Sequence, residues 1–394
     1  MPGFELMGRE EREAVNEVFD RGGVLYRYGF DEMRQHVFKV AEFEAAFAGK
    51  FGVRHAQAVT SGTAALKVAL KAMGIGPGDE VITQCHTFVA TVEAIIEARA
   101  TPVISEVDRS LNMDPGDFEA KISSRTRAVI PVHMLGSPAR MREILSIAGR
   151  NGIMVLEDAA QAPGGEYLGK KLGTLGTAGC FSFDYGKVIT TGEGGMVVTD
   201  REDVYRKARE YTDHGHEYNP LVPRGEDTRT GWGFNYKMME LQGAIGLAQL
   251  KKLDDALQRQ RENKRKIKEG IRDLPGISFR EIPDPRGEIG DALVFFLDDA
   301  ASALRCAAQL RGDGIGTKNL PDAIQWHYAG TWDHMLAFFE RYRGRDLMRE
   351  WPVSTDLISR AIALPVLIRM DGPVIERMVD RVRKAVERVT GDRR

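Results

Sequence analysis

Between residues 57 and 199 the chain alternates short apolar runs with amphipathic stretches. The runs cover 57–59, 80–83, 102–105, 128–132, 153–157 and 179–183. Between them, apolar positions recur at helical spacing around 64–73, 89–98, 138–150 and 201–211. Apolar runs too short for helices and separated by helical patterns read as buried strands. Their regular alternation predicts an α/β layer built on a mainly parallel sheet. Gly195–Thr199 follows a glycine turn and predicts one more strand.

The pattern then changes. Leu241, Ile245, Ala248, Leu250, Leu253 and Leu257 recur at helical spacing, and charges dominate 259–268. This predicts a long helix over 240–270 that links two domains. The large one covers 1–250 and includes an N-terminal segment. The other, 251–394, holds the linking helix and a smaller α+β C-terminal domain. Leu274-Pro275-Gly276 stops the helix, and strands are expected at 277–282 and 292–297. Helices are expected at 302–311 and 373–388.

Composition narrows the class. The chain has 394 residues, 43% hydrophobic and 28% charged, enough for a sizeable core. Its 55 Lys and Arg are mixed with 57 Asp and Glu, for a net charge of −2. That balance predicts no nucleic-acid partner. Cys85, Cys180 and Cys306 are widely spaced with no CxxC, so a reducing cytoplasm is expected and a disulfide framework is not. The opening Met-Pro-Gly-Phe-Glu-Leu lacks a basic region and a long apolar stretch. Neither a signal peptide nor a membrane span is expected.

The segment 156–199 carries the chemistry. Asp158 ends an apolar run, Lys187 follows 29 positions later (187 − 158), and Gln161 and Ser182 lie between. An imine-forming amine, a carboxylate for a pyridinium nitrogen, and amide and hydroxyl donors are what pyridoxal 5′-phosphate (PLP) requires. Each residue also has a plainer reading. Lys187 alone is a surface or hairpin lysine, but it sits between a buried strand end and Thr191-Gly192-Glu193-Gly194-Gly195. Asp158 alone caps a helix. At the carboxyl edge of a parallel sheet, however, it stands where α/β folds bind ligands.

Other candidates lie elsewhere in the chain. Thr60-Ser61-Gly62-Thr63 joins a strand to a helix through small hydroxyl residues and suits an anion. Phe88 offers a ring for stacking, or simply core packing. Asn235 either donates to a phosphate or caps the long helix, and the residues alone leave both open. Asp213-His214-Gly215-His216 suggests metal ligands, but no further ligand set completes a site, so no metal is expected.

Several segments together resemble the DegT/DnrJ/EryC1/StrS family of sugar aminotransferases. They are Ser61-Gly62-Thr63-Ala64-Ala65-Leu66, Gly76-Pro77-Gly78-Asp79-Glu80, Thr87-Phe88-Val89-Ala90, Glu157-Asp158-Ala159-Ala160-Gln161-Ala162 and Gly192-Glu193-Gly194-Gly195. The resemblance implies PLP fold type I, as in aspartate aminotransferase, and a homodimer with shared sites. It implies that Lys187 forms the imine with PLP and that Asp158 faces the ring nitrogen. Gln161 would bond the phenolic oxygen and Phe88 lie against the ring. Gly62, Thr63 and Ser182 would hold the phosphate, with Asn235 reaching it from the partner subunit. Glutamate would load the amine, giving the pyridoxamine form, and a keto sugar would receive it.

A narrower likeness rests on Tyr26-Arg27-Tyr28, Asp213-His214-Gly215-His216, Arg280-Glu281-Ile282-Pro283 and Trp326-His327-Tyr328. These resemble the branch that makes 8-amino-3,8-dideoxy-manno-octulosonate (8-amino-Kdo), a sugar acid of surface lipopolysaccharide. The expected acceptor is therefore an 8-oxo Kdo-type acid, with a nucleotide-linked 3-keto or 4-keto hexose as the alternative. Arg27 is the expected cation for the sugar carboxylate. His327 and Asp184 are expected to meet sugar hydroxyls. Val188 stands where most members carry asparagine, and Asp184-Tyr185-Gly186 replaces a common tyrosine–proline pair. A dehydratase of the same fold would carry histidine in place of Lys187, and a regulator without activity would not need Lys187, Asp158 and Gln161 together.

Overall fold

The structure, a computed structural model, describes residues 3–391. Met1 and Pro2 of the opening segment, and the last three residues of the expected C-terminal domain, lie outside it.

The apolar runs of the first half become one seven-stranded sheet. Its strands are β1 (His55–Val59), β2 (Glu80–Gln84), β3 (Thr101–Ser105), β4 (Thr126–Ile130) and β5 (Met154–Asp158). A small hairpin, β6 (Glu166–Tyr167) and β7 (Lys170–Lys171), intervenes before β8 (Ala178–Ser182) and β9 (Gly195–Thr199). The order is β1-β9-β8-β5-β4-β2-β3. Pairing is parallel from β8 through to β3, and β9 runs antiparallel to both its neighbours.

Helices cover both faces, which is why nearly every position of these strands is buried rather than every second one. In β4, Ala128 and Ile130 point into a core with Ala65, Val68 and Ala69 of the helix Gly62–Ala72. Val129 points the other way, against Ile144 and Ile147 of the helix Met141–Arg150. Adjacent residues of β5 divide in the same manner. Glu157 is fully buried and accepts the N–H groups of Gly173, Leu175 and Gly176 at 2.9, 2.6 and 2.7 Å, with His133 at 3.0 Å. It anchors the loop before β8, and Asp158 is left for the sheet edge.

The predicted long helix is Glu240–Ile271 and passes unbroken through the expected division at 250/251. Leu250, Leu253 and Leu257 pack with Phe43 and Phe183, and Ile267 and Ile271 pack with the C-terminal elements. Those elements are β10 (Ile277–Phe279), β11 (Ala292–Leu297) and β12 (Ala361–Pro365), joined in an antiparallel sheet. The expected strand 277–282 stops at Phe279. One face, with Leu293, Phe295, Ile362 and Leu364, is covered by the helices Ala300–Gly312 and Gly372–Gly391. The other face, with Val294, Phe296 and Ala363, meets Trp332, Trp351 and Tyr328 and through them Cys85 and Val89. The small sheet is thus carried to the carboxyl edge of the large one.

Candidate active site

The carboxyl ends of the parallel strands, together with the small domain, enclose a cavity of about 370 Å³. Gly62 and Thr63 enter it after β1, Thr87 and Phe88 after β2, Asp158 and Gln161 from β5 onward, and Ser182, Asp184 and Lys187 from β8 onward. Asn319 and His327 come from the C-terminal region. Asp158 and Lys187, far apart in the chain, therefore face one space.

Asp158 is 4% exposed. Thr91 Oγ1 donates to its Oδ2 at 2.8 Å, and Ala160 N–H donates to its Oδ1 at 3.1 Å. Thr91 is in turn bonded to Thr87 Oγ1 at 2.7 Å, which fixes the carboxylate's orientation. Burial pushes its pKa up; the bonds from Thr91 and Ala160 and the charge of Lys187 oppose this. A helix cap is not its role, because turns follow β5 rather than a helix.

Lys187 sits in a turn built by Asp184. Its backbone N–H donates to Asp184 O at 2.9 Å, and Asp184 Oδ1 accepts Gly186 N–H at 3.0 Å. Burial pulls the lysine's pKa down, against the pull of Asp184, Asp158 and Asp291. The next residue, Val188, points into the core and is 2% exposed.

The turn after β1 makes an anion cradle. Ser61 caps the helix Gly62–Ala72, its Oγ accepting Ala64 N–H at 3.1 Å. Among the described residues the N–H groups of Gly62 and Thr63 have no protein acceptor, and the Thr63 and Ser182 hydroxyls stand beside them. Two free N–H groups at a helix N-terminus, with two hydroxyls, are an arrangement that suits a phosphate. Glycine is needed at 62, because a Cβ there would lie 2.7 Å from Ser182 Cβ. Gly62→Ala should therefore push the helix off β8 and weaken retention of PLP about tenfold or more, as overpacking of about 1–3 kcal/mol implies. Titration of the apoprotein with PLP, followed by absorbance, measures this; unchanged affinity would remove the cradle from the phosphate site.

Gln161 Oε1 accepts Leu135 N–H at 3.1 Å, which turns its NH2 end into the available donor. Phe88 is 41% exposed and lines the cavity, so a core role does not describe it. Its ring stacks near Trp326 at 6.4 Å and near His327 at 5.5 Å. His327 Nδ1 bonds Ala323 O at 2.8 Å, and burial lowers the ring's pKa, leaving Nε2 as a neutral acceptor. The donor set, the buried carboxylate and the amine fit PLP without a missing group.

Two expected residues are elsewhere. Arg27 does not line the cavity. Its guanidinium is 8% exposed and pairs with the buried Glu44 at 2.5 Å, so it is not a free cation for a sugar carboxylate. Asn235 is exposed and off this chain's cavity. It does not cap the long helix, whose N-cap is Met239 with Gln242 closing the box; its backbone bridges to Asp213. His216 lies 3.6 Å from Asp227, and among the described residues no group of three His, Cys, Asp or Glu is placed for a metal. No helix among them is long and apolar enough to cross a membrane. Thr91, Thr87 and Asn319 were not among the sequence candidates, and Ser61 was read only as part of the hydroxyl-rich turn before its helix.

Comparison with known proteins agrees with this geometry. The profile of the DegT/DnrJ/EryC1/StrS aminotransferase family matches residues 11–383. The spore coat polysaccharide biosynthesis protein SpsC of Bacillus subtilis is 33% identical over an alignment that covers 97% of this chain and 96% of that one. GDP-perosamine synthase of Caulobacter vibrioides is 46% identical over 224 residues, 55% of this chain and 58% of that protein, so this match spans little more than half of that relative. Among solved structures, S. venezuelae DesV in complex with a ketimine intermediate superposes with a TM-score of 0.81 at 29% identity, covering 96% of this chain and 94% of that one. The chain belongs to the DegT/DnrJ/EryC1/StrS aminotransferase family.

Proposed function

We propose that this protein is a PLP-dependent aminotransferase that passes the amino group of glutamate to the carbonyl carbon of a nucleotide-linked keto hexose. The observation that carries the reaction class is the single cavity shared by the buried Asp158 and Lys187 beside the open N–H groups of Gly62 and Thr63. Bound PLP supplies an aldehyde that takes up the amine and a ring that accepts electrons. Asp158, held by Thr91 and Ala160, keeps the proton on the ring nitrogen. Lys187 Nζ, its pKa lowered by burial, removes the proton from the donor's Cα. Gln161 would donate to the phenolic oxygen, Phe88 would lie over the ring, and Ser182 would join the phosphate cradle. Asp184 and His327 line the space left for the sugar. The reading includes a cytoplasmic homodimer, with Asn235 reaching the phosphate from the second copy.

The acceptor assignment is supported by the likeness to GDP-perosamine synthase, whose name specifies a GDP-linked amino sugar. The second acceptor, an 8-oxo Kdo-type acid, rests on the likeness in Trp326-His327-Tyr328 and the neighbouring motifs. It requires a cation for the sugar carboxylate, and Arg27 is engaged with Glu44. Holoenzyme loaded with glutamate should therefore aminate a GDP-linked 4-keto hexose about a hundredfold more efficiently than the 8-oxo acid, a ratio within reach of hydrogen-bond recognition. Product formation by mass spectrometry, with both acceptors in competition, measures it. The opposite preference would replace the nucleotide sugar with the sugar acid.

A further inference from the structure

The small domain contributes one wall of the cavity, and that wall holds a donor without an acceptor among the described residues. Residues 318–320 lie along the outer edge of β12: Lys318 N–H donates to Ala363 O at 2.8 Å, and Ala363 N–H donates to Leu320 O at 3.1 Å. The Lys318 ammonium is engaged with the buried Asp291. Asn319, pinned between these contacts, has φ +68°, a left-handed conformation that asparagine tolerates better than most residues. Its side chain lines the cavity, and its Nδ2 is buried without a hydrogen-bond partner among the described residues. A buried amide donor is rarely left unpaired.

The same wall carries His327, whose Nδ1–H is held by Ala323 O and whose Nε2 is an acceptor. A neutral donor and a neutral acceptor on one wall suit a hydroxyl, which accepts and donates; a carboxylate has no proton for Nε2. Among the described cavity residues the cation is Lys187, and Lys318 behind the wall is neutralised by Asp291. We infer that Asn319 is a specificity residue that donates through Nδ2 to a hydroxyl oxygen of the acceptor sugar, with His327 completing the contact. This inference rests on the keto-sugar reading above.

Two variants separate recognition from backbone geometry. Asn319→Gly keeps the left-handed conformation and removes the donor. Asn319→Asp keeps the side-chain shape and replaces the donor with a carboxylate oxygen. Each is assayed as holoenzyme with a GDP-linked 4-keto hexose, and the glutamate half-reaction is followed separately by the absorbance of the cofactor. Both should raise the KM for the keto sugar about tenfold or more, Asn319→Asp further than Asn319→Gly, as for a lost polar contact. The rate with glutamate should stay at the wild-type value in both, and the Tm should do so in Asn319→Gly. A wild-type KM in Asn319→Gly would make the side chain a backbone device and overturn the inference. Slowing confined to the glutamate half would overturn it too, by moving Asn319 to the donor. If wild-type enzyme aminates no keto sugar, the functional reading falls and this inference with it.

Discussion

Lys187→Ala should abolish turnover while leaving the fold intact. Among the described residues Lys187 Nζ makes no hydrogen bond or ion pair, and its amine opens onto the cavity. The turn that presents it is built from the backbone and from Asp184, whose Oδ1 holds Gly186 N–H. Alanine keeps every one of those bonds. A lysine whose charge is disfavoured by burial contributes little to stability, so the Tm should move by no more than about 2 °C. The activity loss has two sources, the missing covalent attachment and the missing proton carrier. The second alone is worth about 10²–10⁴-fold. Steady-state assay beside a thermal melt decides the matter. Turnover within tenfold of wild type would remove Lys187 from the reaction, and a collapsed Tm would make its role structural.

The sequence made the layer legible because the sheet is parallel and covered on both faces. Strands such as β2 and β5 are buried along their whole or nearly whole length around a short apolar centre, Val81-Ile82 and Met154-Val155-Leu156, and the observed ends fall within a residue or two of the expected ones. β12 was not anticipated. Ala361-Ile362-Ala363-Leu364-Pro365 directly follows a helix without a turn signal and ends in proline, which is tolerated at that strand's end. The helices Arg9–Asp20 and Lys39–Phe51 were not resolved from the N-terminal segment either, although Phe43 and Phe47 bury one face of the second.

Site residues divide by the range of their signal. Asp158, Gln161, Ser182 and Lys187 lie within 30 positions of one another, and each ends or follows a strand, so their shared edge could be read. Thr91 reaches Asp158 across 67 positions from within a helix, and nothing in Ala90-Thr91-Val92 marks it. Asn319 depends on the pairing of its neighbours with β12, a strand the pattern did not reveal. Arg27 was expected to be a free cation for a sugar carboxylate, and the partner it has in the structure, Glu44, lies on a helix the pattern did not show.

Asp158→Asn should lose activity and gain stability in the apoprotein at neutral pH, two effects of one carboxylate. In the proposed cycle Asp158 would keep the ring nitrogen protonated, and an amide would do so poorly. Turnover should fall on the order of a hundredfold or more, as when other electrostatic stabilisers are removed. The geometry accommodates the amide. Its oxygen can keep Ala160 N–H, and its NH2 can donate to Thr91 Oγ1, which then donates to Thr87 Oγ1. Without cofactor, burial holds the Asp158 pKa above its ordinary value. A carboxyl whose folded pKa exceeds its unfolded pKa costs nothing below the unfolded value, and the cost grows as pH rises toward the folded one. The penalty is therefore present at neutral pH, and asparagine does not incur it. The Tm of apo Asp158→Asn should therefore exceed that of apo wild type at pH 7. The two should converge below about pH 4, the ordinary aspartate range. Adding PLP should reverse the order, because the ring's positive charge compensates the wild-type carboxylate and not the amide. Melts of both apoproteins across pH, with and without PLP, test each step. Equal Tm values at pH 7 without cofactor would mean that the bonds from Thr91 and Ala160 already offset the burial. Full activity in the variant would leave the ring nitrogen without its assigned partner.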